Sequence, residues 1–272
     1  MTHETRMTDA QALAMRRKRA KPDALFVHDT AADEVEDRMG MVNKPFNSVA
    51  LVTGFGDFWS TRFPSAFCVA DTDTLSLEPE THDLVIHAMS LHWANDPVGQ
   101  LIQCRRALKP DGLFLNVAFG GQTLNELRAC LGQAEVEVTG GMSPRVAPMA
   151  DLRDMGGLLQ RAGFALPVAD SLSLTVEYDD AWALMRDIRA MGEANALITR
   201  LRRPTRRAVL HAAAKLYQEN FTNAHGRITA TFELVFLTGW APAATQPKPL
   251  RPGSAQKRLA DALGTAETKL PD

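Results

Sequence analysis

The sequence predicts an α/β fold built on a mainly parallel sheet. Three observations carry this. Short, unbroken apolar runs recur at 48–52, 66–70, 83–89 and 112–119, and strands apolar on both faces are the kind that helices cover on both sides. Helix-patterned stretches alternate with such runs along the chain. Residues 97–108 form a marked crossover, with Pro97 at the start and Lys109-Pro110-Asp111-Gly112 at the stop, the asymmetry expected of a helix between two strands.

Taken in order, the basic stretch Arg16-Arg17-Lys18-Arg19-Ala20-Lys21 reads as a solvated helix face, and residues 23–41 as an amphipathic helix ending near Gly40. The first strand, 48–52, runs into the glycine turn Thr53-Gly54-Phe55-Gly56-Asp57. A short helix follows to Phe63, stopped by Pro64. The runs at 66–70, 83–89 and 112–119 give three more strands. Residues 97–108 place Val98, Leu101, Ile102 and Leu108 on one stripe, and 123–138 and 151–162 read as further helices, the second closed by Gly163. Residues 166–178 read as extended, with alternation at Leu172, Leu174, Val176 and Tyr178. Helices over 180–191 and 205–220 precede a long β-rich run, Ile228–Trp240, expected to be an added antiparallel edge strand. This gives one domain over 1–250, with a helical insertion at about 179–222. The proline-bearing tail from Ala241, and 251–272 above all, is expected to wrap over the surface.

Composition narrows the function classes. The 272 residues are 45% hydrophobic and 23% charged, enough apolar material for a sizeable core. A net charge of −2 gives no global basicity for nucleic acid, and no apolar run is long enough to span a membrane. Cys68, Cys104 and Cys130 match no disulfide or zinc spacing, so reduced thiols and a cytoplasmic setting are expected. His82, His87 and His92 lie at odd spacing, which sends neighbours on a strand to opposite faces, and no metal is expected.

Several strings then occur together: Ser90-Leu91-His92-Trp93-Ala94-Asn95-Asp96, Ala107-Leu108-Lys109-Pro110-Asp111-Gly112, Phe119-Gly120-Gly121-Gln122-Thr123-Leu124-Asn125-Glu126-Leu127-Arg128, Ser143-Pro144-Arg145-Val146-Ala147-Pro148, Arg161-Ala162-Gly163-Phe164, and MRDIRAMGEANA at 185–196. In this order, over roughly residues 10–258, the chain resembles class I S-adenosylmethionine-dependent methyltransferases. Within them it is similar to the branch that holds the biotin-pathway malonyl-carrier-protein methyltransferase and the mitochondrial complex I assembly factor that hydroxylates arginine. The resemblance implies a Rossmann-like methyltransferase fold and S-adenosylmethionine as cofactor. It implies methyl transfer to a small-molecule or protein acceptor. The alternative it implies is a respiratory complex I assembly factor, working as an arginine hydroxylase or as a non-catalytic chaperone.

The family's first strand ends in an acidic residue and a turn of the form D-x-G-x-G-x-G. Here the aligned residues are Val52-Thr53-Gly54-Phe55-Gly56-Asp57-Phe58, so the acid is Val52 and the third glycine is Phe58. Eleven residues separate Gly56 from Cys68, too few for two helices and a strand when one crossover needs about 10–12 residues. One β-α unit is therefore expected to be missing. Phe58 is expected to crowd helix packing or the cofactor, leaving cofactor binding weak or lost.

The cofactor candidates are Gly54, Gly56 and Asp71; Asp71 either takes the acidic role or simply opens the turn Asp71-Thr72-Asp73-Thr74. His92 and Trp93 follow a strand's carboxyl end, where such folds place substrate groups. There imidazole is a candidate base and indole an apolar wall; the competing reading has Trp93 packing under the next helix and His92 capping it. Finally, Arg200, Arg202, Arg203, Arg206 and Arg207 lie within eight residues, a local patch suited to an acidic protein partner.

Overall fold

The computed structural model describes residues 6–247 and Gly264. The chain divides into two compact units, Met1–Pro242 and Ala243–Asp272, and every element below lies in the first. Apart from Gly264, the expected tail over 251–272 lies outside the described residues.

In chain order the elements are α1 (Ala10–Arg17), α2 (Phe26–Gly40), β1 (Val49–Thr53), α3 (Gly56–Arg62), β2 (Phe67–Val69), β3 (His82–Ala88), α4 (Pro97–Ala107), β4 (Leu108–Phe119), α5 (Asn125–Thr139), α6 (Leu152–Ala162), β5 (Ala165–Tyr178), α7 (Ala181–Ala190), α8 (Arg207–Asn220) and β6 (Ile228–Trp240). Several helix starts are set by a short acid, which satisfies backbone N–H groups that have no partner within the helix. Asp96 accepts from the Gly99 N–H at 2.8 Å, just ahead of Pro97. Asp151 and Asp180 do the same for α6 and α7. Gly163 ends α6 at φ +80°, a left-handed conformation that suits glycine.

The sheet has six strands in the order β2-β1-β3-β4-β6-β5. β2, β1, β3 and β4 are mutually parallel, and β6 runs antiparallel to both β4 and β5. This bears out the mostly parallel Rossmann-like sheet with an antiparallel late strand. The shortened region is also visible: after β1 come only the seven-residue α3 and the three-residue β2, with no helix between β2 and β3.

One expectation is corrected. β6 is not the edge strand; it lies inside the sheet, and β5 forms the edge. The reason is burial. From Leu234 to Leu237 four consecutive β6 residues are buried, whereas β5 alternates between half-buried and exposed positions. The alternation at 172–178 is thus the signature of the edge.

Both sheet faces are covered. Leu51, Ile86, Leu115 and Val117 join α2, α5, α7 and α8 in one core, and Ala50, Val52, Val85, Phe114 and Ala118 join α4 and α6 in the other. Alternate residues of β1, β3 and β4 go to opposite cores, which explains why those runs read as unbroken.

Candidate functional site

The chain leaves β1, forms β2 on one side of it, then crosses back to form β3 on the other. The strand order reverses there: β1 and β3 stay paired to their carboxyl ends, Thr53 opposite Ala88, and the segments that follow them border a crevice beyond those ends, the usual ligand position in open α/β sheets. A cavity of about 1010 Å³ occupies that position, at the upper end of the roughly 300–1,000 Å³ common for small-molecule sites. Its lining includes Thr53, Gly54 and Gly56 from the turn, Asp71 after β2, and Trp93 after β3. α1 closes it from above, contributing Leu13, Ala14 and Arg17.

α1 is held there by its flanks. Asn95 Oδ1 accepts from the backbone N–H groups of Met7 and Thr8 at 2.9 and 2.8 Å. The Asp9 N–H donates to the Ala196 carbonyl at 2.8 Å, and the Lys21 N–H to the Ala190 carbonyl at 2.8 Å. Residues of both SLHWANDP and MRDIRAMGEANA thus meet the N-terminal segment.

Arg17 is the main correction at residue level. It is not part of a solvated face: its side chain is 9% exposed. Nη1 donates to both Asp71 oxygens, at 2.9 and 2.8 Å, and the guanidinium lies 5.3 Å from the Phe55 ring centroid. Nε and Nη2 are buried without a hydrogen-bond partner. A Cβ placed on Gly54 would fall 1.9 Å from Nη1, so the guanidinium lies directly against the Gly54 backbone.

Phe58 lines the same cavity from α3. Its ring meets His28 and Trp59 with centroids 5.7 and 5.8 Å apart. Trp59 is fully buried and donates to His28 Nδ1 at 3.1 Å. Burial pushes His28 down to about 4, so the ring is neutral near pH 7.

Asp71 is further tied to the sheet through Gln100. Gln100 Nε2 donates to the Asp71 and Thr72 carbonyls at 3.2 and 3.0 Å, while its Oε1 lies 3.0 Å from His87 Nε2. His87 is buried within β3, and burial holds it at about 4 against the opposing hydrogen bond from Gln100.

His92 and Trp93 converge on an acid that no motif singled out, Glu193. Trp93 Nε1 donates to Glu193 Oε2 at 2.6 Å. His92 Nε2 lies 3.4 Å from the same oxygen, and the Phe119 N–H lies 3.4 Å from His92 Nδ1. His92 does not line the cavity; its side chain is 1% exposed, behind Trp93. Burial works against the charged Glu193 carboxylate. Hydrogen bonding and attraction from His92, then attraction from Arg17 and the Trp93 N–H, outweigh it and hold the carboxyl at about 2. The available signal for Glu193 was its place inside the string at 185–196.

The remaining candidates lie apart. Arg200 and Arg202 approach Asp9 at 2.9 and 3.7 Å, whereas Arg203, Arg206 and Arg207 are exposed. Among the described residues, no group of three His, Cys, Asp or Glu side chains is disposed to hold a metal, and no helix is long and apolar enough to cross a membrane.

Comparison with known proteins agrees with this geometry. Residues 52–116 match the model of a methyltransferase domain. The chain is 38% identical to the human protein named arginine-hydroxylase NDUFAF5, mitochondrial, over 78% of this chain and 61% of that one. It is 35% identical to a malonyl-[acyl-carrier protein] O-methyltransferase of Methylovorus sp. (strain MP688), over 76% and 66% of the two chains. A solved putative methyltransferase from Bacillus halodurans is 14% identical, covering 76% of this chain and 97% of that one with a TM-score of 0.48. The chain spans between 44% and 66% of the length of the curated relatives it matches. The matched segment runs from the end of β1 into β4, so this part of the chain resembles a methyltransferase domain, and 76–78% of the chain is similar to the two named relatives.

Proposed function

We propose that the chain binds S-adenosylmethionine in the crevice between β1 and β3 and directs methyl transfer to a small-molecule or protein acceptor. One observation carries this: Gly54, Gly56, Asp71 and Trp93, distant in sequence, line a single cavity at the reversal of strand order. The donor set suits the cofactor. Gly54 lets a ligand reach the backbone, Asp71 supplies a carboxylate for ribose hydroxyls, and Trp93 offers an apolar wall. When bound, the cofactor supplies an electrophilic methyl group on a sulfonium centre. The protein's part is to orient the acceptor and exclude water. Trp93 is fixed for this by its bond to Glu193, and His92 acts as a positioning residue through the same carboxylate rather than as the base itself.

A second reading rests on the relatives named arginine hydroxylase, 38–41% identical. In it the same crevice serves a protein arginine during respiratory complex I assembly, by hydroxylation or as a non-catalytic chaperone. The exposed Arg203, Arg206 and Arg207, with half-paired Arg202, offer a face for an acidic protein partner. The three free cysteines support a reducing, cytoplasmic-type compartment.

The test is intact-mass spectrometry of acceptor proteins after incubation with the chain and S-adenosylmethionine. Gain of a methylene mass supports methyl transfer; in a parallel incubation that also contains dioxygen and a reductant, gain of one oxygen supports hydroxylation. No change in any acceptor, although the cofactor binds, would remove both enzymatic readings and leave the chaperone.

A further inference from the structure

We infer that Arg17 is a built-in occupant of the cofactor crevice, an internal guanidinium ligand that holds Asp71 until the cofactor displaces it. This rests on the cofactor reading above and adds a competitor that belongs to the chain itself.

Three features point the same way. Arg17 Nη1 contacts both carboxylate oxygens of Asp71, the oxygens a ribose would need. The guanidinium also lies on the Gly54 turn: a Cβ there would sit 1.9 Å from Nη1, 2.2 Å from Cζ and 2.7 Å from Nε. A ligand and Arg17 therefore claim the same volume and the same acceptor. The fit of Arg17 is also incomplete, since Nε and Nη2 are buried with no partner. A buried donor left unmade is unfavourable, so the contact is closed but exchangeable.

The helix that carries Arg17 does not depend on this contact for its position. Asn95, Ala196 and Ala190 hold the backbone on either side of α1. The Gly192 position, at φ +81°, lies against the Arg17 backbone, where an added Cβ would be 3.1 Å from its Cα. Losing the side chain should therefore open the crevice with α1 still in place. It would also leave Asp71, 13% exposed, without its cation, a state that a ligand with hydroxyl donors relieves.

The test is calorimetric titration of the full chain with S-adenosylhomocysteine, comparing wild type with Arg17→Ala and with Arg17→Met, which keeps the apolar stem. Both variants are expected to bind at least about tenfold more tightly, the scale of one charge-assisted hydrogen bond. Where wild type binds, equal or weaker binding by both variants would overturn it and make Arg17 a bystander or a cofactor ligand.

A second measurement needs no cofactor. Arg17→Ala should melt below wild type, and millimolar methylguanidinium should raise its melting temperature while leaving wild type unchanged. Absence of that rescue would overturn the internal-ligand role. Rescue without any S-adenosylhomocysteine binding would uphold it and remove only the cofactor reading.

Discussion

Replacing Glu193 by Gln tests the clamp behind the crevice wall. The substitution keeps shape and volume, removes the charge and puts an NH2 group in place of the buried, unpartnered Oε1. Glu193 is 6% exposed, its Oε2 receives the Trp93 N–H at 2.6 Å, and His92 Nε2 lies 3.4 Å from the same atom. A carboxyl held at about 2 against an ordinary value near 4.5 corresponds to a preference of about 3 kcal/mol for the charged form. Gln mimics the neutral form while still accepting from the indole. The expected loss is therefore about 2–3 kcal/mol at pH 7, read from the urea midpoint with an unchanged slope. The pH dependence has a definite sign. A depressed carboxyl stabilises the fold above its unfolded value near 4.5, and that contribution fades as pH falls from there toward 2. The gap between wild type and Glu193→Gln should shrink on acidification through that window. A loss within about 0.5 kcal/mol, the range of ordinary surface changes, or a gap that widens in acid, would refute the clamp.

Two further outcomes are expected. Burial holds both His28 and His87 at about 4, below an ordinary value of 6.5. Protonation then favours the unfolded chain, and stability should fall as pH drops from about 6.5 toward 4, by about 2 kcal/mol per histidine at pH 5; a urea midpoint unchanged between pH 7 and pH 5 would contradict this. Phe58→Gly should destabilise by roughly 2–4 kcal/mol, through the lost ring contacts and a glycine within a helix. Because the Phe58 ring is wall and Arg17 lies on the turn, that variant should gain less S-adenosylhomocysteine affinity than Arg17→Ala, and an equal or larger gain in titration would return the obstruction to Phe58.

The parallel sheet was legible because two-sided burial leaves a direct mark, unbroken apolar runs such as 83–89. The shortened unit was legible because eleven residues cannot hold the usual elements. The place of β6 was not, since a β-rich run does not say on which side its partners lie; only the weaker alternation of 166–178 carried the edge. Gly54, Gly56, Asp71 and Trp93, singled out from the turn and from strand ends, line one cavity. Arg17 was hidden because its meaning depends on Asp71, 54 residues away. Read locally, it was one of five basic residues in a six-residue stretch. Glu193 was hidden for the same reason, lying 100 residues from the indole it binds. Long-range polar pairs have no periodicity, so they leave no trace in the sequence until the fold brings them together.

The central claim, that the crevice between β1 and β3 holds the cofactor, is tested most directly by following backbone amides by NMR during titration with S-adenosylhomocysteine. Saturable shifts are expected at Gly54, Phe55, Gly56 and Asp71 and at the Trp93 indole N–H, with residues of β5 and α8 unmoved. Absence of saturable change at the turn, or shifts confined to another face of the sheet, would contradict it.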